Sequence, residues 1–332
     1  MGDDSPPPHL SCFSGRGPRH YAMPLDPLAL TIAIPTLGRE QVLLDTISML
    51  LAQEPAAREI LVLDQSHHHE PATEKQLSAW HHEQCIEWIH LTRPSQPGAL
   101  NEALRRATEN FVLFLDDDIQ IESGFLAAHI DGFSSNDVWV VAGQVLQPGE
   151  TPDNDYVYVK NENGLADTEF RFCSNRPAHI QNGMSGNMTV RRERALELGG
   201  FDENFTPPVA YRFDADFCKR VCKAGGKIFF QPKAPIHHLR APRGGTRTNS
   251  NHLTSMSPEH GVGDYYYALQ HSQGTERWTY VFRRMTKEVC TRFHLRHPWW
   301  IPIKLAGEIR ALGSALSLHK TGPRLINLGS NE

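Results

Sequence analysis

The chain has 332 residues, 39% hydrophobic and 21% charged, with 33 Lys and Arg against 38 Asp and Glu and a formal net charge of −5. That length suffices for one large or two ordinary domains with a substantial core, and the composition argues against a polytopic membrane protein or a mostly disordered chain. The acidic balance leaves no whole-chain basic field for nucleic acid.

Residues 1–27 are rich in Pro, Gly, Ser and Arg without periodicity and are expected to be disordered. The first ten residues, MGDDSPPPHL, carry no secretory signal, and Pro6 breaks a myristoylation pattern. No apolar stretch approaches the roughly 20 residues of a spanning helix, so a cytoplasmic location is expected. Cys12, Cys85, Cys173, Cys218, Cys222 and Cys290 form no CxxC pair and are read as reduced thiols.

Leu28–Thr36 is a short apolar, β-prone run. Behind it Leu43, Leu44, Ile47, Leu50 and Leu51 recur with the spacing of one helical face. Glu59–Asp64 reads as a second strand, a helical stretch follows around Glu74–Cys85, and Ile86–Leu91 is a third strand. Leu100, Ala103, Leu104 and Ala107 give another helical stripe before a fourth strand, Phe111–Leu115. Apolar strands without alternation, separated by amphipathic helices, indicate a Rossmann-like, mostly parallel α/β sheet flanked by helices. Ligands of such a sheet bind beyond the carboxyl ends of its strands, which here carry Thr36, Asp64 and Asp116-Asp117-Asp118. Farther on, Val138–Val145 extends the sheet. Helices are expected around Arg192–Leu198 and Ala215–Ala224, and a strand over Lys227–Gln231.

Three consecutive aspartates after FVLFL raise one another's pKa unless a cation neutralises them. Carboxylate oxygens suit Mg²⁺ or Mn²⁺, which in turn bridge phosphate oxygens. The alternative is an acidic cap on a helix starting near Glu122. Asp214 and Asp216 open a helix, where they serve either as caps or as a base with a lowered pKa. His237-His238 offer a borderline metal ligand or a surface pair, while His67-His68-His69 read as a solvated loop.

Seven segments in a fixed order, TIAIPTLGRE, EILVLDQS, PGALNEAL, FLDDDI, SGNMTVRRERALELGGFDENF, FDADFCKRVCKAGGKI and PKAPIHHL, resemble the family 2 glycosyltransferases of GT-A fold over about residues 28–240. The resemblance implies inverting transfer of a sugar from a nucleotide-diphosphate sugar to a hydroxyl acceptor, with a divalent metal. It implies that Pro35 and Thr36 line the base and ribose site, that Asp64 accepts from the nucleobase, and that Gly98 in the PGALNEAL opening sits on the donor side. Asp116, Asp117 and Asp118 match the DxD-type motif, with Asp118 the direct metal ligand, Asp116 a ribose or metal-water contact and His238 completing the metal site. Gly186 and Asn187 match the segment beside sugar and acceptor, and Asp214 matches the catalytic base. Phe213 stands where the family usually has a Glu, leaving Asp216 as a supporting acid on the acceptor side, and Leu100 replaces a common arginine. The expected division is a catalytic domain over 28–245, its nucleotide-binding half 28–135 and its acceptor-binding half 136–245, followed by a helical basic extension over 246–332.

A phosphatase of the haloacid-dehalogenase kind is disfavoured because Pro35-Thr36 stand where its nucleophile belongs. The chain also lacks the GxGxxG and GxxxxGK[ST] loops of dinucleotide-binding and P-loop proteins. A sugar-nucleotide-binding protein without catalysis is the remaining alternative, suggested by Phe213.

From Arg277 to Arg324 ten basic residues face only Glu288 and Glu308, a net of +8, so the rest of the chain carries −13. Ile301, Leu305, Ile309, Leu312 and Leu316 share one helical face behind Trp299 and Trp300. Such a helix either lies on an anionic membrane surface, close to a lipid-linked or polysaccharide acceptor, or packs its apolar stripe on the catalytic domain.

Overall fold

A computed structural model of the chain describes residues 26–160, 165, 170–207, 209, 212–245 and 251–327. The disorder expected for 1–27 therefore falls almost wholly outside the described residues. Strands β1 (Leu28–Thr36), β2 (Ala57–Asp64), β3 (Glu87–His90) and β4 (Phe111–Leu115) alternate with helices α1 (Gln41–Leu51), α2 (Pro71–His82) and α3 (Gln96–Arg106). The four strands run parallel in the order β3-β2-β1-β4. Their unbroken apolar runs follow from cover on both faces. Ile32, Ile34, Val62, Leu113 and Leu115 pack with Leu43 and Ile47 of α1. The alternate residues Ala33, Leu61, Leu63, Val112 and Phe114 pack with Leu100 and Leu104 of α3 on the other side. Each large side chain so buried contributes roughly 1.5–3 kcal/mol. Because β2 and β4 flank β1 on opposite sides, the chain switches direction beside β1, and a crevice opens at the carboxyl ends of β1 and β4.

The same sheet continues through β5 (Ile119–Ile121), β6 (Val138–Leu146), β7 (Ala178–Ile180), β8 (Asn187–Arg191) and β9 (Lys227–His238), with α4 (Phe125–Asp131), α5 (Arg192–Glu197) and α6 (Phe213–Lys223) against it. The full order is β3-β2-β1-β4-β8-β6-β9-β5, with β7 on β9, and β8 runs antiparallel to both β4 and β6. Sequence reading stops the ninth strand at Gln231, yet β9 runs on to His238. Its register against β6 jumps from Gly143 opposite Gln231 to Gln144 opposite Pro235. The residues between, 232–234, bulge out, so Pro232 costs no ladder bond. The short β5, absent from the sequence reading, pairs with the end of β9 and sets Ile119 opposite His238.

Helices α7 (Glu259–His271), α8 (Gly274–Val289), α9 (Arg292–Arg296) and α10 (Ile301–Thr321) form the expected helical C-terminal region. They share a third core in which Val262, Tyr265, Tyr266, Ala311 and Ala315 meet Phe205 and Ala215. Of the two expectations for the Ile301–Leu316 stripe, packing on the body holds only in part, through Leu312. The buried face of α10 is Lys304, Gly307, Glu308, Ala311 and Ala315, whereas Leu305, Ile309 and Leu316 are exposed. Close approach decides this. A Cβ on Gly261 of α7 would lie 2.9 Å from the Ala311 Cβ, so only a small-residue face fits there. Lys304 satisfies Glu308 at 2.9 Å, and the Tyr265 hydroxyl donates to Glu308 at 2.7 Å. Beyond α10, residues 322–327 fasten onto the loop after α5, with Ile326 N donating to Gly199 O at 2.7 Å and Arg324 N to Asp202 Oδ1 at 2.8 Å.

Cys173, Cys218, Cys222 and Cys290 are reduced thiols, as expected, but Cys85 is disulfide-bonded, which corrects the reading of six reduced thiols; Cys12 lies outside the described residues. Among the described residues no helix is long and apolar enough to cross a membrane.

Candidate active site

Asp116, Asp118 and His238 meet at the mouth of the crevice, with one ligand atom from each lying within 4.8 Å of the others. His238 Nε2 stands 3.2 Å from Asp118 Oδ1 and 3.8 Å from Asp116 Oδ2. Strand alternation separates the two histidines: His238 is buried on the aspartate side, and His237 points outward to solvent. Burial pushes the Asp118 carboxyl up, but the His238 contact, the Ala241 amide and the Arg39 guanidinium outweigh it and hold it below its ordinary value. Two carboxylates and an imidazole, with Asp116 about one-third exposed to the crevice, form a donor set that fits a divalent cation with open positions.

Arg39, which sequence reading passed over, organises the run from behind. Its Nε lies 3.2 Å from Asp117 Oδ1 and its Nη2 3.1 Å from Asp118 Oδ2. Its Nη1 donates to Ala241 O at 2.9 Å and also to Arg243 O. One buried guanidinium thus ties the loop after β1, the aspartates and the chain beyond His238. Asp117 faces inward, accepting the Thr36 hydroxyl at 2.7 Å. Burial pushes its carboxyl up to about 7 despite Arg39 and Thr36. Thr46 of α1 donates to the Asp117 carbonyl at 3.0 Å and fixes the backbone there. The acidic-cap alternative fails, because α4 begins at Phe125 behind Gly124 with no side-chain cap.

The segment entering β8 lies between two carboxylates. Gly186 abuts Asp116: its carbonyl accepts the Asp116 amide at 3.1 Å, and a Cβ there would sit 2.2 Å from Asp116 Oδ2. On its neighbour, the Ser185 amide donates to Asp214 Oδ1 at 3.2 Å. Asp214 is buried, and desolvation pushes its carboxyl up to about 7, partly offset by Ser185 and reinforced by Asp116. A carboxylate with that value sits where it can take a proton near neutral pH. The α6 N-terminus that presents it is held by Arg212, a left-handed residue (φ 77°) whose Nε lies 2.6 Å from Asp264 of α7. Phe213 turns away, its ring 6.2 Å from Phe201.

Most of the other residues expected at the site have their polar atoms engaged by the protein itself. Asp216 is buried between His271 Nε2 at 2.8 Å and Arg220 at 2.9 Å, so it ties α6 to α7 and does not join Asp214. Asn187 is internal, its amide donating to Gln144 O and Ala234 O at 2.9 Å and its oxygen facing His129 at 2.8 Å. Burial pushes His129 down to about 4, so it stays neutral. Gly98 donates its amide to Ser95 Oγ at 3.0 Å, a helix cap at the α3 N-terminus. Leu100 is wholly buried in the core. Asp64 is fully buried, its Oδ2 bonded to Trp88 Nε1 at 3.0 Å and His69 Nε2 at 2.8 Å, its Oδ1 to the Ser66 amide at 2.9 Å. His69 is therefore buried, which corrects its reading as part of a solvated loop: the Asp64 carboxylate needed a donor there. Pro35 precedes Thr36 at the buried end of β1.

Residues 31–198 match the model of glycosyl transferase family 2. The pre-mycofactocin glycosyltransferase of Mycobacterium tuberculosis is 28% identical over 156 residues, which are 46% of this chain and 32% of that protein; the chain thus aligns with about a third of its relative's length. Among solved structures, Staphylococcus aureus TarS 1-349 in complex with UDP-GlcNAc superposes with a TM-score of 0.57 at 15% identity, covering 91% of this chain and 97% of that one. GalNAc-T7 with UDP, GalNAc and Mn²⁺ gives 0.56 at 13% identity over 82% and 59%. The mannosyltransferase PcManGT of Pyrobaculum calidifontis, with GDP-Man and Mn²⁺, gives 0.51 at 17% over 92% and 83%. At these identities the structures speak for the fold alone, which is GT-A. The family model spans just over half of the chain, and the chain belongs to glycosyl transferase family 2.

Proposed function

We propose that this glycosyltransferase moves a sugar, with inversion, from a nucleotide-diphosphate sugar to a hydroxyl of a glycan or lipid-linked acceptor, working on the inner face of a membrane. Asp116, Asp118 and His238 would hold Mg²⁺ or Mn²⁺, and Asp214 would be the base. The observation that carries this is the single segment Ser185-Gly186, which abuts Asp116 through Gly186 and binds Asp214 through the Ser185 amide. A bound divalent cation would neutralise the charge gathering on the diphosphate leaving group. Asp214 takes the acceptor's hydroxyl proton as the acceptor oxygen bonds to the anomeric carbon. The bond from that carbon to the diphosphate breaks, and its electron pair leaves on the phosphate oxygen. A single displacement inverts the centre and needs one base, so the Phe213 replacement removes no required group. Arg39 keeps the aspartates and the loop after His238 in register.

The TarS and PcManGT complexes hold a uridine and a guanosine donor, so both bases belong in the test. Purified protein is challenged with UDP-, GDP- and dTDP-sugars, with Mn²⁺ or with EDTA, followed by thermal shift and by proton NMR of the product anomer. Metal-dependent stabilisation by one donor, and product of opposite anomeric configuration, are expected. A retained configuration rules out the single displacement, and donor binding without transfer to any acceptor favours a binding protein.

A further inference from the structure

Beside their apolar core, the C-terminal helices bury a charged cluster and leave large apolar side chains exposed. α10 turns Lys304 and Glu308 inward, where Lys304 pairs with Glu308 at 2.9 Å and Arg284 of α8 stands 3.7 Å from Glu308. Glu288 is drawn to the same pair, 3.3 Å from Arg284 and 3.6 Å from Lys304. Both acids of the 277–324 stretch are thereby engaged by two of its ten basic residues. The outer surface keeps Arg283, Lys287, Arg292, Arg296, Arg310 and Lys320, all exposed, with no acid from the stretch to offset them. Among them stand large apolar side chains with no cover: Trp299 is 64% exposed, Ile309 57% and Phe282 68%, joined by Leu305 and Leu316. Isolated exposed apolar residues are ordinary, but a helix that buries its charged pair and shows its leucine–isoleucine face expects an apolar partner.

We propose that the outer face of α8–α10 lies on an anionic phospholipid surface, with Trp299, Leu305 and Ile309 entering the headgroup–acyl boundary and the six exposed basic residues facing the phosphates. This deepens, and rests on, the reading of a membrane-side acceptor. Charge selects the occupant. An isologous contact between two copies would set the basic faces against each other, whereas an anionic bilayer neutralises the charges and accepts the apolar groups together.

The test is flotation of the full chain with vesicles of phosphatidylcholine alone or mixed with phosphatidylglycerol, run beside nucleotide release from the donor in solution. Binding to the mixed vesicles, weakened by salt, is expected. Ile309→Glu and, separately, Arg310→Glu should each lower the partition coefficient about tenfold while nucleotide release stays at the parent rate. Flotation indifferent to both variants, or absent with mixed vesicles while release persists, overturns the membrane face and leaves the transferase intact. A concentration-dependent dimer in sedimentation, lost in Ile309→Glu, would assign the face to a second copy and equally overturn it. Arg310→Glu guards against misfolding, since its exposed head group contributes little to the core.

Discussion

Asp214 carries the sharpest consequence at the scale of single residues. Burial holds its carboxyl at about 7, far above an ordinary aspartate. Transfer should rise with pH through a midpoint near 7 as Asp214 ionises, and Asp214→Asn should abolish both transfer and that limb of the kcat/KM profile. Stability runs the other way. A folded-state value above the unfolded one contributes stability below about pH 4 that is lost as pH rises through 7. Asp214→Asn should therefore unfold later than the parent at pH 8, by roughly 1–3 kcal/mol in urea titrations, with no comparable gain at pH 4. Gly186→Ala tests the neighbouring contact: a Cβ 2.2 Å from Asp116 Oδ2 must displace that carboxylate. Expected are weaker Mn²⁺ binding by calorimetry and a kcat at least about tenfold down, with the melting temperature nearly unchanged. Asp116, Asp118 and His238 were legible because they stand in conspicuous runs. Arg39 and Ser185 were not, since their value lies in partners 78 and 29 residues away, which no local pattern discloses. Asp216 misled for the complementary reason: two residues from Asp214 on a helix, it faces a different neighbour.

Among the elements, hydrophobic spacing located β1–β4, α1–α3, β6, α5, α6, the first part of β9 and α10, because a sheet covered on both faces leaves no other pattern, whereas β7, β8 and α7–α9 went unread. It placed α10 correctly and left open which way its stripe points, since periodicity says which residues share a face and not what that face meets. The small residues Gly307, Ala311 and Ala315 decide it by letting α7 approach. Glu308 at the centre of that contact offers a direct check. Glu308→Ala leaves the buried Lys304 with only the more distant Glu288 at 3.6 Å and Tyr265 without its acceptor, and should cost about 3 kcal/mol in denaturant unfolding. Replacing Lys304 and Glu308 together by Met and Leu should restore most of the loss; a double variant as weak as the single would show that packing, not the stranded charge, dominates. β5 escaped sequence reading because three residues carry no periodicity. Yet its pairing with β9 delivers His238, since Ile119 sits opposite it and Leu239 N donates to Asp118 O at 2.8 Å.

For the molecule as a whole, the division proposed at 135 does not interrupt the sheet: β8 joins β4 of the first half to β6 of the second. The carboxylates proposed for cation and for base come from different halves, Asp116 and Asp118 from one and Asp214 from the other. A rigid common sheet is what keeps them in register. The C-terminal helices belong to the same structure, through Asp264 on Arg212 and His271 on Asp216. The central claim is that one cation site and one base act together, and the direct measurement is nucleoside-diphosphate release from the preferred sugar nucleotide in the presence of acceptor. Parent protein in Mn²⁺ should release product continuously, and EDTA, Asp118→Ala and Asp214→Asn should each reduce release by at least about a hundredfold. Undiminished release from Asp118→Ala or from Asp214→Asn would contradict the assignment of that residue, and release by the parent in EDTA would remove the cation from the chemistry.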